Sequence, residues 1–217
     1  MSALIKSVYL KKSFQIPTDK SIAVILLERY HDLLAGTVII LFSLSAYFSF
    51  ISLSLVVISS VILVGIFLLI SNQNFSVFVY KKLSKIKFIS QKLPHVGPSE
   101  SFSILTSPKN MTKGRFLSIL GWIVDSLGVY VVFLSLNIDL RYILTSQIYF
   151  TSLGYGVLSL LPGGIGVNES IADFLLVRQG LDLSIASSVV ILTRISTVWF
   201  ATIVGIMFTR IAVRQKL

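Results

Sequence analysis

The stretch LPGGIGVNES, residues 161–170, lies between two long apolar segments and decides how this chain must be organised. It places one proline, three glycines, an amide and a carboxylate side by side where the flanking sequence predicts helices inside a membrane. Backbone that leaves helical geometry within a bilayer needs protein or a water-filled cavity around its N–H and C=O groups. The break therefore predicts a cavity or a buried packing site at membrane depth.

The composition of the whole chain predicts an integral membrane protein. Of its 217 residues, 54% are hydrophobic and 13% are charged, and the mean hydropathy is +0.88. An ordinary soluble domain carries about 25% charged residues. No cysteine is present, which excludes disulfides, thiolate nucleophiles and cysteine-ligated metals. The two histidines cannot form a metal site alone, so we expect no metal and no cofactor.

Five apolar segments are long enough to cross a bilayer, which takes about 20 residues. The first two are joined without a charge between them, and we place their turn near residues 45–49. The predicted fold is an all-α, polytopic helical membrane protein with about five transmembrane helices and a broken or re-entrant half-helix at 167–180. The predicted spans are residues 21–44, 46–70, 115–136, 141–161 and 183–209.

One long polar segment, residues 71–114, carries seven lysines and one acid. The positive-inside rule places this loop and the N-terminus in the cytoplasm. We expect residues 1–217 to form a single multi-pass domain in the cell membrane. Apolar residues in the loop recur at spacings of 3 or 4, which indicates a basic amphipathic helix at the lipid interface. Its Lys81, Lys82 and Lys85 would attract an anionic leaflet; the alternative is a solvated connector whose charges only set topology.

Residues 7–37 and residues 172–202 form a candidate internal repeat. Each copy runs through a basic turn into an apolar helix with an arginine on its second turn, Arg29 or Arg194. Inverted repeats in transporters converge on a shared site at the membrane midplane. The basic tail favours the cytoplasm, which leaves two topologies open. Either residues 141–180 cross as paired half-helices, or the half-helix is re-entrant and the tail lies outside.

The opening stretch has the residues of an anion site. Pro162 ends the preceding helix, the glycines release the backbone from ordinary conformations, and Asn168 is expected to cap the next helix. Successive N–H groups at a helix start, together with the helix dipole, suit a phosphate. The alternative is a plain turn in which Glu169 only complements the dipole. A nucleotide-binding loop is excluded, because the lysine and hydroxyl residue of that motif are absent.

Ionisable residues inside the predicted helices point to the same region. At the centre of a span each costs about 2.5–3.5 kcal/mol, so such groups face protein or water and are paired. Arg194 has no acid within one turn on its own helix, and its expected partner is Glu169, Asp173 or a ligand phosphate. The trio in the first helix could instead form an internal clamp. The intramembrane charges are Glu28, Arg29, Asp32, Asp125, Glu169, Asp173 and Arg194.

At these residues the sequence resembles the lysylphosphatidylglycerol synthase transmembrane region, a family of flippase-like membrane proteins. Besides the opening stretch, the resemblance rests on AVILLERYHDLLAG, residues 23–36, and SSVVILTRISTVWFATIVG, residues 187–205. It implies movement of lipids between leaflets, beside enzymes that modify those lipids. It also implies further hydrophobic spans ahead of KSVYLKK, residues 6–12, close to where this sequence begins, so the resemblance implies either a shortened member or a fragment. The motif residues that it implies are Glu28, Arg29, Asp32, Pro162, Gly163, Gly164, Gly166, Glu169 and Arg194.

We therefore expect a membrane protein that binds an anionic or phosphorylated lipid at the broken helix and helps it cross the bilayer without covalent chemistry. The expected lipid is an anionic phospholipid or one of polyprenyl-phosphate type. The backbone of residues 163–168 and Arg194 would bind the phosphate, and Glu169 would act as counter-charge or switch. The charged trio of the first helix would form a pseudo-symmetric wall.

Two alternative functions remain open from the sequence. One is an intramembrane lipid- or glycolipid-modifying transferase, with Glu169, Asp173 or Asp125 as general base. The other is a scaffold that holds a lipid-modifying enzyme through the lysine-rich loop. A nucleic-acid partner is not expected, and an oligomer is compatible with each of these functions.

Overall fold

The computed structural model describes residues 18–71 and 108–214, and every regular element in these two ranges is a helix. The predicted all-α fold is thereby confirmed. The elements in chain order are α1 (Thr18–Leu44), α2 (Phe50–Ser71), α3 (Pro108–Ser135), α4 (Tyr142–Leu158), a 3-10 turn (Pro162–Gly164), α5 (Val167–Val177), α6 (Leu183–Arg194), a π-helical turn (Ile195–Trp199) and α7 (Phe200–Arg214).

Three helices in the described ranges are long and apolar enough to cross a membrane. They are Phe50–Leu68, Met111–Ser135 and Leu183–Phe208. The other two predicted spans correspond to α1, which carries several charges, and to α4, which has 17 residues. Crossing by α1 and α4, and with it the count of five, stays a prediction.

The element boundaries agree with the expected turn between the first two spans and differ at the start of α3. α1 ends at Leu44 and α2 begins at Phe50, which confirms the turn near residues 45–49. α3 begins at Pro108, seven residues before the predicted span, because proline is well suited to a first helical position and the helix continues through the polar residues that follow it. The three interface lysines of the loop lie outside the described residues.

The contacts divide the chain into two compact units, Met1–Ala35 with Val57–Leu120, and Gly36–Val56 with Gly121–Leu217. In the first unit, α1 and α3 approach closely at His31 and Gly114. The imidazole of His31 is buried, and a Cβ on Gly114 would lie 2.7 Å from its Cε1 atom. A small residue is therefore needed on α3 at this point.

In the second unit, α4 is the central helix and buries its polar face. Gln147 donates a hydrogen bond to the carbonyl oxygen of Tyr47 at 2.9 Å, and the hydroxyls of Thr151 and Ser52 lie 3.0 Å apart. Small and hydroxyl-bearing residues at such contacts are typical of helices that pack inside lipid. Large apolar side chains of the unit, such as Trp199, are exposed instead. This distribution is that of a protein whose outer surface faces hydrocarbon.

An apolar core joins α5, the helix that follows the break, to its neighbours. Residues of α3, α4, α5 and α6 interlock in it: Val129, Phe133, Leu144, Ile148, Ala172, Leu175, Leu176, Ala186, Val189 and Val190. This core holds the short helix α5 against α4 and α6, and so it sets the position of the helix start that follows the glycine stretch.

Candidate functional site

The helix after the break begins at Val167, and its N-cap is Gly166. The expectation that Asn168 caps this helix is wrong, because the chain enters helical geometry two residues earlier. Gly166 has a φ of 86°, which side-chain-bearing residues rarely adopt, and its N–H donates to Oε2 of Glu169 at 2.7 Å. The carboxylate of Glu169 thus does the capping that was expected of the amide.

Asn168 is buried in the second helical position, beside the point where α4 and the break approach each other. Gly156 of α4 and Gly164 of the 3-10 turn are almost in contact, since a Cβ on Gly164 would lie 2.7 Å from the Cα of Gly156. The stretch that follows Pro162 therefore packs directly on the α4 backbone. Its glycines serve close packing as well as a change of direction.

Arg194, the last residue of α6, pairs with Glu169 across the unit. Its Nε donates to Oε1 of Glu169 at 2.6 Å, and the two side chains are 13% and 29% exposed. Of the three partners expected from the sequence, the structure brings Glu169 to Arg194. The ion pair links the start of α5 to the end of α6.

The same guanidinium also binds the break itself. Nη2 of Arg194 donates to the carbonyl oxygen of Gly163 at 2.7 Å. Gly163 has a φ of 69°, which a residue with a Cβ adopts only with strain. One guanidinium therefore holds both the 3-10 turn and the first turn of α5.

The helix that carries Arg194 widens immediately after it. Residues Ile195–Trp199 form a π-helical turn, a feature that occurs frequently at functional sites. Thr197, in the middle of this turn, donates a hydrogen bond to the carbonyl oxygen of Thr193 at 2.8 Å. Arg194 thus stands at a local change in helix geometry, opposite the glycine break.

A cavity of about 30 Å³ opens beside Arg194, and its wall comes from α3, α4, α5, α6 and the π-helical turn. Most of the wall is apolar, and its polar members include Tyr149, Asn168 and Arg194. The hydroxyls of Thr145 and Thr193, two other lining residues, are buried without a hydrogen-bond partner among the described residues. Of the two arrangements that the glycine stretch predicts, a cavity or a buried packing site, the structure has a small cavity beside the break.

Asp125 of α3 is paired with a residue of this wall. The hydroxyl of Tyr149 donates to Oδ2 of Asp125 at 2.5 Å. The sequence analysis did not single out Tyr149, although a tyrosine in the middle of an apolar helix is a signal, because its hydroxyl requires a partner when buried. The Asp125–Tyr149 pair and the Arg194–Glu169 pair flank the same cavity.

Asp173, another expected partner of Arg194, bonds a different residue in the structure. One of its carboxylate oxygens accepts a hydrogen bond from Ser187 at 3.0 Å, and the other is buried without a partner among the described residues. Within residues 18–71 and 108–214, no three histidine, cysteine or acidic side chains come together as ligands for a metal ion.

The charged trio of α1 forms the internal clamp that the sequence left open. Nη2 of Arg29 lies 3.2 Å from Oε1 of Glu28, and Nη1 lies 3.4 Å from Oδ2 of Asp32. Arg29 is 64% exposed, in contrast to Arg194. The trio belongs to the other compact unit, and its role as a pseudo-symmetric wall stays a prediction.

Comparison with known proteins gives one family and several archaeal relatives. A model of the lysylphosphatidylglycerol synthase TM region matches residues 1–205. A UPF0104 membrane protein of Pyrococcus horikoshii is 30% identical over 107 residues, which are 49% of this chain and 32% of that protein. Two UPF0104 membrane proteins of Methanocaldococcus jannaschii each match over 92% of this chain. One is 25% identical and matched over 65% of its own length, and the other is 30% identical and matched over 85%.

This chain spans about a third of the length of the Pyrococcus protein and about two thirds of the first Methanocaldococcus protein. No solved structure matches it.

Proposed function

The chain belongs to the lysylphosphatidylglycerol synthase TM region family of membrane proteins, and we propose that it binds the head group of an anionic or phosphorylated lipid at the broken helix and assists its movement between leaflets. One observation carries the proposal: a largely buried guanidinium, Arg194, stands directly at the glycine break and at the start of α5. Charges buried within a membrane protein are costly, and they commonly mark binding or transport sites.

The donors at the break suit a phosphate group. Within the described part of the chain, Glu169 and Gly163 engage two of the five N–H donors of Arg194. The fork of a guanidinium matches two oxygens of one phosphate. The first turn of α5 adds N–H groups that have no partner inside the helix, and the positive end of its dipole. Two independent sources of anion affinity therefore meet at one place.

The surroundings favour a lipid over a soluble anion. Ile195, Trp199 and Phe200, on the helix just beyond Arg194, are exposed apolar residues. An amphiphile could keep its chains against this surface while its head group reaches the guanidinium. A free anion would give up much of its hydration to occupy the same site, with no apolar part to offset the loss.

Leaflet exchange in proteoliposomes tests the proposal. The exchange rates of phosphatidylglycerol and phosphatidylcholine, labelled on the same fluorescent acyl chain, would be measured for three proteins at equal protein per vesicle. The proteins are wild type, Arg194→Ala and a matched control, Arg178→Ala. Arg178 is exposed, and its guanidinium lies 5.6 Å from the ring centre of Phe174, away from the break. We expect faster exchange of the anionic lipid with wild type and with the control, and loss of that excess in Arg194→Ala. Exchange by wild type equal to that of protein-free vesicles would contradict the proposal.

A further inference from the structure

The protein already holds an anion of its own in the proposed site. Oε2 of Glu169 accepts the N–H of Gly166 at 2.7 Å, and Oε1 accepts Nε of Arg194 at 2.6 Å. These are the two kinds of donor, backbone and guanidinium, that a lipid phosphate would use. A phosphate and the ionised Glu169 side chain would therefore compete for the same hydrogens.

The charge balance of the site decides how this competition can be resolved. The guanidinium and the carboxylate together carry no net charge. A phosphodiester that joined them would leave one uncompensated negative charge and two anions that share one cation in a low-dielectric environment, which is strongly unfavourable. If Glu169 takes up a proton, the guanidinium and the phosphate again sum to zero, and the neutral carboxyl group no longer holds the arginine.

We infer that Glu169 takes up one proton when an anionic head group binds to Arg194 and releases it when the head group leaves, so that a proton moves with each lipid. The inference rests on the proposed function of the same site. In the binding step the ionised carboxylate, one proton and one phosphodiester become a neutral carboxyl group beside a phosphodiester held by the guanidinium. The net charge of the protein–lipid site is the same before and after.

Other ionisable groups around the site have partners of their own. From α6 the facing group is Arg194 itself, and from α4 it is Tyr149, whose hydroxyl donates to the carboxylate of Asp125 on α3. On α5, one turn beyond Glu169, Asp173 accepts a hydrogen bond from Ser187. Glu169 is the acid that shares a cation with the ligand, and its partial exposure of 29% lets a proton reach it.

Calorimetry counts the proton directly. Short-chain phosphatidylglycerol, the probe, would be titrated into wild-type protein in a neutral maltoside detergent near pH 7, in two buffers that differ in ionisation enthalpy. A phosphodiester avoids the second ionisation of a phosphomonoester near pH 6, which would add protons of its own. We expect uptake of about one proton for each lipid bound, and an affinity that rises up to about tenfold for each unit of falling pH, as linkage of one proton requires.

Two variants identify the side chain that takes up the proton. Glu169→Gln has nothing to ionise, so we expect it to bind the same lipid with no proton uptake and with an affinity independent of pH. Asp173→Asn removes a carboxylate from the same helix and should retain the wild-type uptake.

The outcomes separate the two proposals, and the wild-type measurement does not depend on either variant folding. Lipid binding that needs Arg194 but takes up no proton would overturn this inference and leave the proposed function standing. Absence of lipid binding by the wild type between about pH 5 and pH 8, a range over which a carboxylate can titrate, would overturn both. Proton uptake that survives in Glu169→Gln would overturn the assignment to Glu169.

Discussion

The carboxylate of Glu169 and the guanidinium of Arg194 meet at 2.6 Å although 25 residues separate them in the chain. Glu169 lies in the first turn of α5 and Arg194 is the last residue of α6. Their contact therefore joins the start of one helix to the end of the next. The same arginine reaches the carbonyl oxygen of Gly163. The position of the helix break therefore depends on a residue that lies on the next candidate membrane-spanning helix.

Loss of the arginine should destabilise the fold more than loss of the whole pair. Arg194→Ala leaves the carboxylate of Glu169 without its cation, and we expect a loss of about 1–3 kcal/mol, less than for a fully buried pair because both groups are partly exposed. Glu169→Gln added to Arg194→Ala should recover part of this loss. Thermal unfolding in detergent measures both, with Arg178→Ala expected within about 0.5 kcal/mol of wild type. A double variant less stable than Arg194→Ala would contradict the pairing.

Lysine should replace Arg194 poorly. An ammonium group keeps the charge but lacks the planar fork that reaches Glu169 and Gly163 at once. We expect Arg194→Lys to bind phosphatidylglycerol roughly tenfold more weakly than wild type, the equivalent of one lost charged hydrogen bond of about 1.5 kcal/mol, and more tightly than Arg194→Ala. Titration calorimetry of the three proteins gives the order. Equal affinities for arginine and lysine would mean that only charge matters at this site.

The close contact between Gly164 and Gly156 should not tolerate a methyl group. A Cβ on Gly164 would meet backbone atoms of α4 at 2.7 Å, and its φ of 65° strains any residue that has a Cβ. We expect Gly164→Ala to lower the free energy of unfolding by about 2–3 kcal/mol, from strain and overpacking together. Gly128→Ala is the matched control, because nothing lies within 4 Å of the added Cβ and α3 favours alanine over glycine. Equal unfolding temperatures for the two variants would exclude a tight contact at the break.

The Tyr149 hydroxyl and the Asp125 carboxylate should be energetically coupled. Tyr149→Phe removes the donor at 2.5 Å, and we expect a loss of about 1–3 kcal/mol, since a hydrogen bond to a charged group is involved. In a double-mutant cycle with Asp125→Leu, the second change should cost less than it does alone. Additive losses in unfolding experiments would show that the two groups do not interact.

The predicted topology can be read by labelling, because the natural chain contains no cysteine. If the lysine-rich loop is cytoplasmic and Met111–Ser135 crosses the membrane, the connection from α3 to α4 lies on the other side. Lys82→Cys should then react with a membrane-impermeant maleimide only from the cytoplasmic face, and Asp139→Cys only from the outer face. Labelling of both cysteines from one face would overturn either the span or the orientation.

Much of the fold could be predicted from composition and spacing. Hydropathy is a local property, so the runs at 46–70, 115–136 and 183–209 correspond to helices long enough to span. The proline and glycines at 162–166 end one helix by local stereochemistry alone, and the structure has its 3-10 turn there. The start of α3 differed because helix formation continues into polar residues that the apolar pattern does not count.

The site was predictable only in part. Arg194 and Glu169 could be chosen because an isolated charge in an apolar helix demands a partner. Which acid that partner is depends on where α6 lies against α5. That Gly166 and not Asn168 is the N-cap depends on where the chain enters helical geometry. Tyr149 escaped notice because its role needs a carboxylate on another helix.

The sequence by itself determined that this chain is a helical membrane protein with a break at residues 162–166. Side-chain hydropathy and the backbone preferences of proline and glycine are properties of single residues, so they can be read from the sequence. Only the tertiary structure decided that Arg194 closes on the break, that Glu169 fills the anion position, and that a cavity lies beside them. Those are distances between helices, set by the packing of a core whose members are far apart in the chain, and no local pattern encodes them.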